Sequence, residues 1–308
     1  MFRQKVSIAM ATYNGEKYLP QLLDSLFAQT RVPDEIVIVD DKSSDATIEV
    51  LSAYAEKYNC IKLYVNEQNL GVNKNFEKAI SLCSGDYVFI CDQDDFWLPE
   101  NIELKLKTLM SMPEDECNFV CHYSILVDKN LNQIVKPRCI EYKNALDIYP
   151  VAFQGTTMAF NRLFAEKIGN IPNDFKEFPY DWYIENIALN IANIHCIGKA
   201  LILYRLHDKN VLLKVRRNRR FVSLLEKIFS IRRYCLKPKN LNQLRTAVGI
   251  CERIGVVNDV FSCLASNCVK KGNINWISLW RIKGLPVRKK IQITLATMLN
   301  DIIEFVKR

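Results

Sequence analysis

The feature that most constrains the fold is an alternation of short apolar runs with amphipathic helical repeats along the first 65 residues. The runs VSIAMA, EIVIVDD and IKLYVN are rich in β-branched residues, whereas EKYLPQLLDSLFAQ and SSDATIEVLSAYAEKY repeat apolar residues every three or four positions. This βαβαβ order is typical of a parallel sheet with right-handed crossovers. We therefore predict an α/β fold with a mostly parallel, Rossmann-like central sheet and helices on both faces.

Polar residues follow each of these predicted strands, and others follow a fourth apolar run, DYVFIC. They are Thr12, Tyr13 and Asn14, then Asp40 and Asp41, then Asn69 and Gly71, and finally the acidic run DQDD at residues 92–95. Open parallel sheets bind their ligands beyond the carboxyl ends of the strands. We therefore expect these residues to meet at one site.

Asp92, Asp94 and Asp95 fall within four positions, so their carboxylates repel one another unless a cation is bound. Oxygen ligands on a loop suit Mg²⁺ or Mn²⁺, and such an ion can bridge to the diphosphate of a substrate. The first turn, ATYNGEKYL, is not GxGxxG, and the chain contains no P-loop, which argues against a dinucleotide oxidoreductase. The alternative is a solvated acidic turn that caps the helix PENIELKLKTLM.

Seven segments follow one another between residues 4 and 212: SIAMATYNGEKYLPQLLDSLFAQT, DEIVIVDDKSSDAT, NLGVNKNFEKAI, SGDYVFICDQDDFWLPENIELK, QGTTMAFNR, YDWYIENIAL and LYRLHDKNV. In this order they resemble the family 2 glycosyltransferases, which have the GT-A fold. They are most similar to the bacterial branch that includes rhamnosyltransferases and related transferases of capsule, O-antigen and cell-wall polysaccharide synthesis. Each segment alone is common, and the assignment rests on all seven in order.

The resemblance implies a nucleotide site at the first three strand ends. Its residues would be Thr12, Tyr13, Asn14, Asp41, Asn69 and Gly71. Tyr13 would offer an aromatic face to the base, and the Asp41 carboxylate would accept a hydrogen bond from a base N–H. Asp40 would brace the turn, and Asn69 could equally cap the helix VNKNFEKAISLC.

The same resemblance implies a metal and donor site at DQDD. Asp94 would bind Mn²⁺ or Mg²⁺, Asp92 would share the metal or lie near the ribose, and Asp95 would brace the turn or meet the donor sugar. Which acid has which role stays open. The ending LYRLH adds His207, which would reach the metal or the diphosphate, and Arg205, which would neutralise phosphate from the same face of the strand.

Asp181, in FPYDWYIENIAL, matches the position of the catalytic base in similar transferases, a carboxylate that removes the proton of the attacking hydroxyl. Transfer would then be a single displacement that inverts the anomeric configuration. The alternative is that Asp181 caps a helix and that Glu185 is exposed. Trp182, Gln154 and Gly155 are assigned to the acceptor side. Gly155 would let backbone approach a sugar at the head of a strand, although a plain bulge would need the same glycine.

Charge divides the chain near residue 212. The formal net charge is +8, but residues 1–211 carry −8 and residues 212–308 carry +16. We predict a catalytic domain over residues 1–211 and a basic, mainly helical region over residues 212–308. The basic region would pack as helices, form a homodimer contact, or lie on an anionic membrane surface. No recognised DNA- or RNA-binding motif occurs, so we expect no nucleic acid partner.

No run of eighteen apolar residues occurs, and the apolar run near the amino terminus has only six residues. We expect a cytoplasmic protein that is peripheral at the inner face of the membrane. The predicted activity is inverting, metal-dependent transfer from a UDP-sugar or dTDP-rhamnose type of donor to a saccharide acceptor, for which a polyprenyl-linked form is the main candidate. The alternative is a noncatalytic nucleotide-sugar-binding protein on the same scaffold.

Overall fold

The computed structural model describes residues 4–137, 139, 154–171 and 179–207. The chain divides into two units, Met1–Asn210 and Val211–Arg308, and all described residues belong to the first. The predicted basic region, residues 212–308, therefore lies outside the described residues and stays a prediction. Within the described part, no helix has the length and apolar content that crossing a membrane requires.

The apolar runs and helical repeats form alternating strands and helices, as predicted. In chain order the elements are β1 (Val6–Thr12), α1 (Leu19–Phe27), β2 (Glu35–Asp40), α2 (Thr47–Lys57), β3 (Ile61–Val65), α3 (Val72–Leu82), β4 (Tyr87–Asp92), β5 (Phe96–Trp97), α4 (Asn101–Met110), β6 (Asn118–Val127), β7 (Gln133–Val135), β8 (Ala159–Asn161), α5 (Arg162–Ile168), α6 (Tyr180–Ile191) and β9 (Asn193–Arg205). A 3₁₀ helix, Gly155–Thr157, lies directly before β8. The runs become strands because β-branched side chains pack well on a pleated surface.

The described strands form one sheet in the order β3-β2-β1-β4-β8-β6-β9-β5, with β7 paired to β6. The first four strands of the chain are parallel to one another, whereas β8 runs antiparallel to its neighbour β4. Thr12 lies opposite Asp40, and Ala11 lies opposite Asp92, so these strand ends form one edge. The predicted α/β fold with a mostly parallel sheet is confirmed.

The later strands of the sheet bring residues that are distant in sequence to that edge. β9 runs parallel to β6 over most of its length, and β5 pairs with β9 through Phe96 with Leu203 and Trp97 with Ile202. Trp97 is 1% exposed and belongs to the same hydrophobic core as the apolar stripe of α1. The chain just after the acidic run is therefore anchored beside the end of β9.

Glu35 lies at the opposite, amino-terminal edge of the sheet, where it is buried and fully bonded. Its carboxylate accepts hydrogen bonds from the Ser7 hydroxyl and from the Ser84 N–H at 2.7 Å, and it pairs with Lys62 Nζ at 2.6 Å. Burial raises the pKa of Glu35, but these donors outweigh it and lower the pKa from 4.5 to about 2. The ionised carboxylate thus ties β1 and β2 to the start of β4.

Glu35→Gln should lower the free energy of unfolding by about 2 kcal/mol at pH 7, because it removes the charge that Lys62 pairs with. The wild-type contribution is fully present above pH 4.5 and is lost as the pH falls toward about 2, since the folded pKa is the lower one. Urea denaturation at pH 7 and pH 3 measures both effects. Glu49→Gln, at an exposed position of α2, is the matched control. Equal losses in the two variants would contradict the role of Glu35.

Candidate functional site

The acidic turn, defined as residues 92–95 between β4 and β5, holds three carboxylates in different surroundings. Asp95 is completely buried, while Asp92 and Asp94 are partly exposed. Burial, and then the charge of Asp94, raises the pKa of Asp92 from 3.8 to about 7. The same two causes raise the pKa of Asp95 well above its usual value. The turn therefore resists carrying three charges at once unless a cation is bound.

Arg205 is buried and donates hydrogen bonds to two residues of the acidic turn. Its backbone N–H donates to Asp95 Oδ1 at 3.2 Å, and its Nε donates to the Asp94 backbone oxygen at 2.8 Å. Its other guanidinium nitrogens donate to Lys129 O and Gln21 Oε1, both at 2.7 Å. The prediction that Arg205 faces phosphate is corrected, because the side chain is 1% exposed and turned inward. Asp95 likewise braces the turn and has no surface for a sugar.

His207, two residues beyond the end of β9, brings a nitrogen to the acidic turn. Its Nε2 lies 2.6 Å from Asp94 Oδ2. Its ring centroid lies 5.2 Å from that of Tyr18, and the Arg205 guanidinium lies 4.5 Å from the same Tyr18 ring. The prediction that Arg205 and His207 share one face of a strand is wrong, because β9 ends at Arg205 and His207 lies beyond it. Arg205 instead contacts the backbone of Asp94, and His207 contacts its carboxylate.

Asp94 and His207, two of the predicted metal ligands, lie next to each other at the acidic turn. In the part of the chain that the structure describes, no three acidic, histidine or cysteine side chains converge on one ion position. Mg²⁺ is commonly held by one or two carboxylates together with substrate phosphates and water. Asp94 Oδ2 and His207 Nε2 share a hydrogen bond of 2.6 Å, so both atoms reach the same place, and an ion bound there would replace the shared proton while a diphosphate supplied further oxygens.

The ends of β1 and β2 present Tyr13 to solvent. Its side chain is 48% exposed, whereas Thr12 is buried and donates its hydroxyl hydrogen to Asp40 Oδ2 at 2.8 Å. Asp40 also accepts two hydrogen bonds from the loop after β2, so it braces the turn. Asn14, at φ 49°, accepts the Ser44 N–H at 2.8 Å. Thr12 and Asn14 therefore fix the loops, and the Tyr13 ring is the part open to a ligand.

Asp41 is buried and holds the loop between β3 and α3. Its Oδ1 accepts the Leu70 N–H at 2.7 Å, and its Oδ2 accepts the Gly71 N–H at 2.8 Å. Gly71 has φ 84°, a conformation that favours glycine, and it is the N-cap residue of α3. Asn69 instead donates to Asp41 O at 3.2 Å, so the alternative that Asn69 caps α3 is wrong. The predicted bond from a base to Asp41 stays a prediction.

Asp181 is the second residue of α6 and lies in its first turn. Pro179 is the N-cap residue, and Glu185 is 8% exposed, so both parts of the capping alternative are wrong. Burial raises the pKa of Asp181 from 3.8 to about 6, although hydrogen bonds from the backbone N–H groups of Trp182 and Gly155 oppose the rise. A carboxylate with this pKa is ionised at neutral pH and can still accept a proton.

Gln154 and Gly155, predicted at the head of a strand, are instead the N-cap residue and the first residue of the 3₁₀ helix. The strand prediction is wrong there because the segment bonds locally, with the Thr157 N–H donating to Gln154 O at 2.9 Å. A Cβ on Gly155 would lie 1.9 Å from the Tyr180 hydroxyl oxygen. The glycine is therefore required by the close approach of Tyr180, and neither a bulge nor a sugar is needed to explain it.

Tyr180 joins the two acidic parts of the site. Its hydroxyl donates to Asp92 Oδ1 at 2.8 Å, and its ring stacks on Phe76 of α3 with centroids 3.7 Å apart. Because Asp181 follows it directly, this contact fixes the first turn of α6 relative to the acidic turn. Nothing in the sequence singled out Tyr180, since its only signal is a tyrosine placed before an acid.

Comparison with known proteins identifies the family that this chain resembles over more than half of its length. The family described as Glycosyl transferase family 2 matches residues 7–169. An uncharacterized protein of Mycobacterium tuberculosis is 27% identical over 216 residues, covering 67% of this chain and 60% of that protein. An uncharacterized glycosyltransferase of Rickettsia typhi is 27% identical over 209 residues, covering 66% of this chain and 64% of that protein. The chain thus spans less than two thirds of the length of these relatives.

Solved structures of TarS from S. aureus have a similar fold. The complex with UDP-GlcNAc has a TM-score of 0.60 and 17% sequence identity, and the match covers 95% of this chain and 79% of that chain. The complex with UDP has a TM-score of 0.56 and 20% identity, covering 84% of this chain and 83% of that chain. At these identities the likeness is one of fold, and it supports the predicted GT-A architecture.

Tyr180→Phe should destabilise the protein more at high pH than at low pH, because the lost hydrogen bond is strongest when Asp92 is ionised. In EDTA, we expect a loss of about 2 kcal/mol at pH 8.5 and about 1 kcal/mol at pH 6, on either side of the Asp92 pKa of about 7. Tyr183→Phe on the same helix is the control, since that hydroxyl donates to the neutral Ile168 O. Urea denaturation measures both variants. A pH-independent loss in Tyr180→Phe would contradict the assigned bond.

Proposed function

Since the chain belongs to glycosyl transferase family 2, we propose that it transfers a sugar from a nucleotide-diphosphate donor to a hydroxyl group, with a divalent metal and with inversion. The observation that carries this proposal is the hydrogen bond of 2.8 Å between Tyr180 and Asp92. It fixes Asp181, the proposed base, beside the acidic turn that would face the donor. A base on the acceptor side and a cation-binding turn on the donor side are the two parts that such a transfer needs.

The nucleotide would lie against Tyr13 and the loop held by Asp41. The Tyr13 ring is 48% exposed, so it can stack on a base. Asp41 keeps the backbone at Asn69 and Gly71 close to the same edge of the sheet. The TarS complexes with UDP and UDP-GlcNAc support a uridine diphosphate sugar as donor. A dTDP-sugar of the rhamnose type presents the same pyrimidine and diphosphate, and it is the second donor class in the proposal.

Asp94 and His207 would hold the divalent ion, Mg²⁺ or Mn²⁺, with Asp92 beside them. When bound, the ion supplies positive charge that stabilises the diphosphate as a leaving group. The contribution of the protein is to hold the ligands in place. Arg205 donates to the Asp94 backbone oxygen and holds the main chain of the turn, and Tyr180 donates to the Asp92 carboxylate and orients that side chain.

Asp181 would take the proton of the acceptor hydroxyl while the oxygen attacks the anomeric carbon. The bond from that carbon to the diphosphate oxygen breaks as the new glycosidic bond forms, so the configuration inverts. The raised pKa of about 6 makes Asp181 a better proton acceptor than an ordinary aspartate. Trp182 lies in the same helical turn, and Gln154 lies on the neighbouring 3₁₀ segment. We place both on the acceptor side.

The acceptor is proposed to be a saccharide that is linked to a lipid, as in the synthesis of bacterial surface polysaccharides. The support is the charge of residues 212–308, whose net +16 would hold the protein at an anionic membrane surface. That region lies outside the described residues, so this part of the proposal rests on sequence alone. A homodimer contact through the same region is the competing role.

Asp181→Asn should lower turnover by roughly 10²–10⁴-fold and change the affinity for the donor by less than about threefold, because it removes the base and leaves the donor side unchanged. Asp94→Asn should weaken the binding of UDP in the presence of Mn²⁺ and lower turnover as well, because it removes charge from the ion site. Donor hydrolysis and transfer are measured with a panel of UDP-sugars and dTDP-sugars, and binding is measured by calorimetry.

Asp115→Asn, at an exposed position before β6, is the control and should behave as wild type. Equal losses of donor affinity and turnover in Asp181→Asn would place this residue in the donor site. Near wild-type turnover of Asp94→Asn at low Mn²⁺ would refute the proposed ion site. Binding of nucleotide sugars without turnover of any of them would favour a noncatalytic binding protein.

A further inference from the structure

Gln93, the second residue of the acidic turn, makes a two-point contact with the backbone of Tyr13. Its Oε1 accepts the Tyr13 N–H at 2.9 Å, and its Nε2 donates to Tyr13 O at 3.0 Å. A side-chain amide offers one acceptor and two donors, so it can bond both backbone groups of one residue. This contact fixes the position and the orientation of the Tyr13 backbone relative to the turn.

Gly15 leaves room for this contact because it has no side chain. A Cβ at that position would lie 2.3 Å from Gln93 Oε1, far inside the normal contact distance. Gly15 is not among the residues with positive φ, so its backbone conformation is open to any residue. Its N–H donates to Thr47 Oγ1 at 2.8 Å, and its carbonyl oxygen accepts the Tyr18 N–H at 3.1 Å. A side chain at position 15 would therefore have to displace the Gln93 amide from its contact with Tyr13.

We propose that Gln93 is a positioning residue that couples the nucleobase end of the site to its metal end. The inference rests on the proposed function, in which Tyr13 contacts the base and Asp94 contacts the ion. A nucleoside diphosphate spans both ends, because the base and the diphosphate belong to one molecule. Gln93 lies between Asp92 and Asp94 in the chain and is bonded to Tyr13, so it joins the two ends directly.

The coupling has a simple physical cause. With the amide contact in place, the Tyr13 ring and the Asp94 carboxylate are held at a fixed separation before the ligand arrives. Without the contact, part of the loop after β1 has to be ordered during binding, and that loss of freedom opposes simultaneous contact at both ends. Binding of the metal should therefore strengthen nucleotide binding much less in a chain that lacks the Gln93 amide.

The test is calorimetry of the full chain with UDP and with dTDP, each in Mn²⁺ and in EDTA. The measured quantity is the metal factor, which is the ratio of the nucleotide Kd in EDTA to the nucleotide Kd in Mn²⁺. We expect this factor to fall at least fivefold in Gln93→Ala, which is the low end of typical couplings between sites. Gln133→Ala, at an exposed position of β7, is the matched control and should keep the wild-type factor.

Gly15→Ala provides a second, independent approach to the same contact. In the wild-type background the new methyl group displaces the Gln93 amide, so the metal factor should fall as it does in Gln93→Ala. In the Gln93→Ala background the displaced atom is gone, and Gly15→Ala should change the factor by less than about twofold. A role in folding alone would lower the thermal stability of each single variant and leave the factor by which Mn²⁺ strengthens nucleotide binding at its wild-type value.

The outcomes separate this inference from the proposed function. A wild-type chain that binds neither UDP nor dTDP with Mn²⁺ would overturn both together. Wild-type binding that is strengthened by Mn²⁺ to the same extent in Gln93→Ala would leave the proposed function intact and overturn the coupling alone. Additive effects of Gly15→Ala and Gln93→Ala on the metal factor would also overturn it.

Discussion

The mutual repulsion of three carboxylates within four residues is the constraint on which the site depends. Each acid of the turn at residues 92–95 is held by a different partner. Asp95 is buried against the backbone N–H of Arg205, Asp92 accepts the Tyr180 hydroxyl, and Asp94 faces His207. The partners come from the end of β9 and from the start of α6, so accommodating the charges also assembles the site.

The arrangement depends on the sheet, because the partners are far apart in sequence. The parallel strands β1, β2 and β4 bring Thr12, Asp40 and Asp92 to one edge. The pairing of β5 with β9 then carries the end of β9 to the acidic turn. Interactions between residues more than one hundred positions apart therefore arise from strand order, and local sequence contributes little to them.

The parallel half of the fold could be predicted from the sequence, because apolar periodicity and polar strand ends are local signals. The convergence of those strand ends followed from the sheet topology, and the family resemblance identified Asp94, Asp181 and His207 as candidates. Arg205 was assigned the wrong surroundings, since its inward orientation depends on the pairing of β9 with its neighbours. Gly155 was placed in a strand for a related reason, because the contact that requires it comes from Tyr180.

The contacts of Tyr180 and Gln93 could not be predicted at all. Both are ordinary polar residues, and their roles depend on which residues their side chains contact in the folded chain. Tyr180 links the acidic turn to the helix that carries Asp181, and Gln93 links the same turn to Tyr13. Together they place the proposed base and the exposed aromatic ring at fixed positions around one cluster of acids.

In the proposed function, the acidic turn binds a divalent ion together with a nucleotide diphosphate. Crystals of the full chain grown with UDP and Mn²⁺, with anomalous diffraction data collected at the manganese edge, test it most directly. We expect one Mn²⁺ ion bonded to the Asp94 carboxylate and to diphosphate oxygens, with the base against Tyr13. Manganese bound away from residues 92–95, or UDP bound in the presence of Mn²⁺ without an ion at Asp94, would contradict the claim.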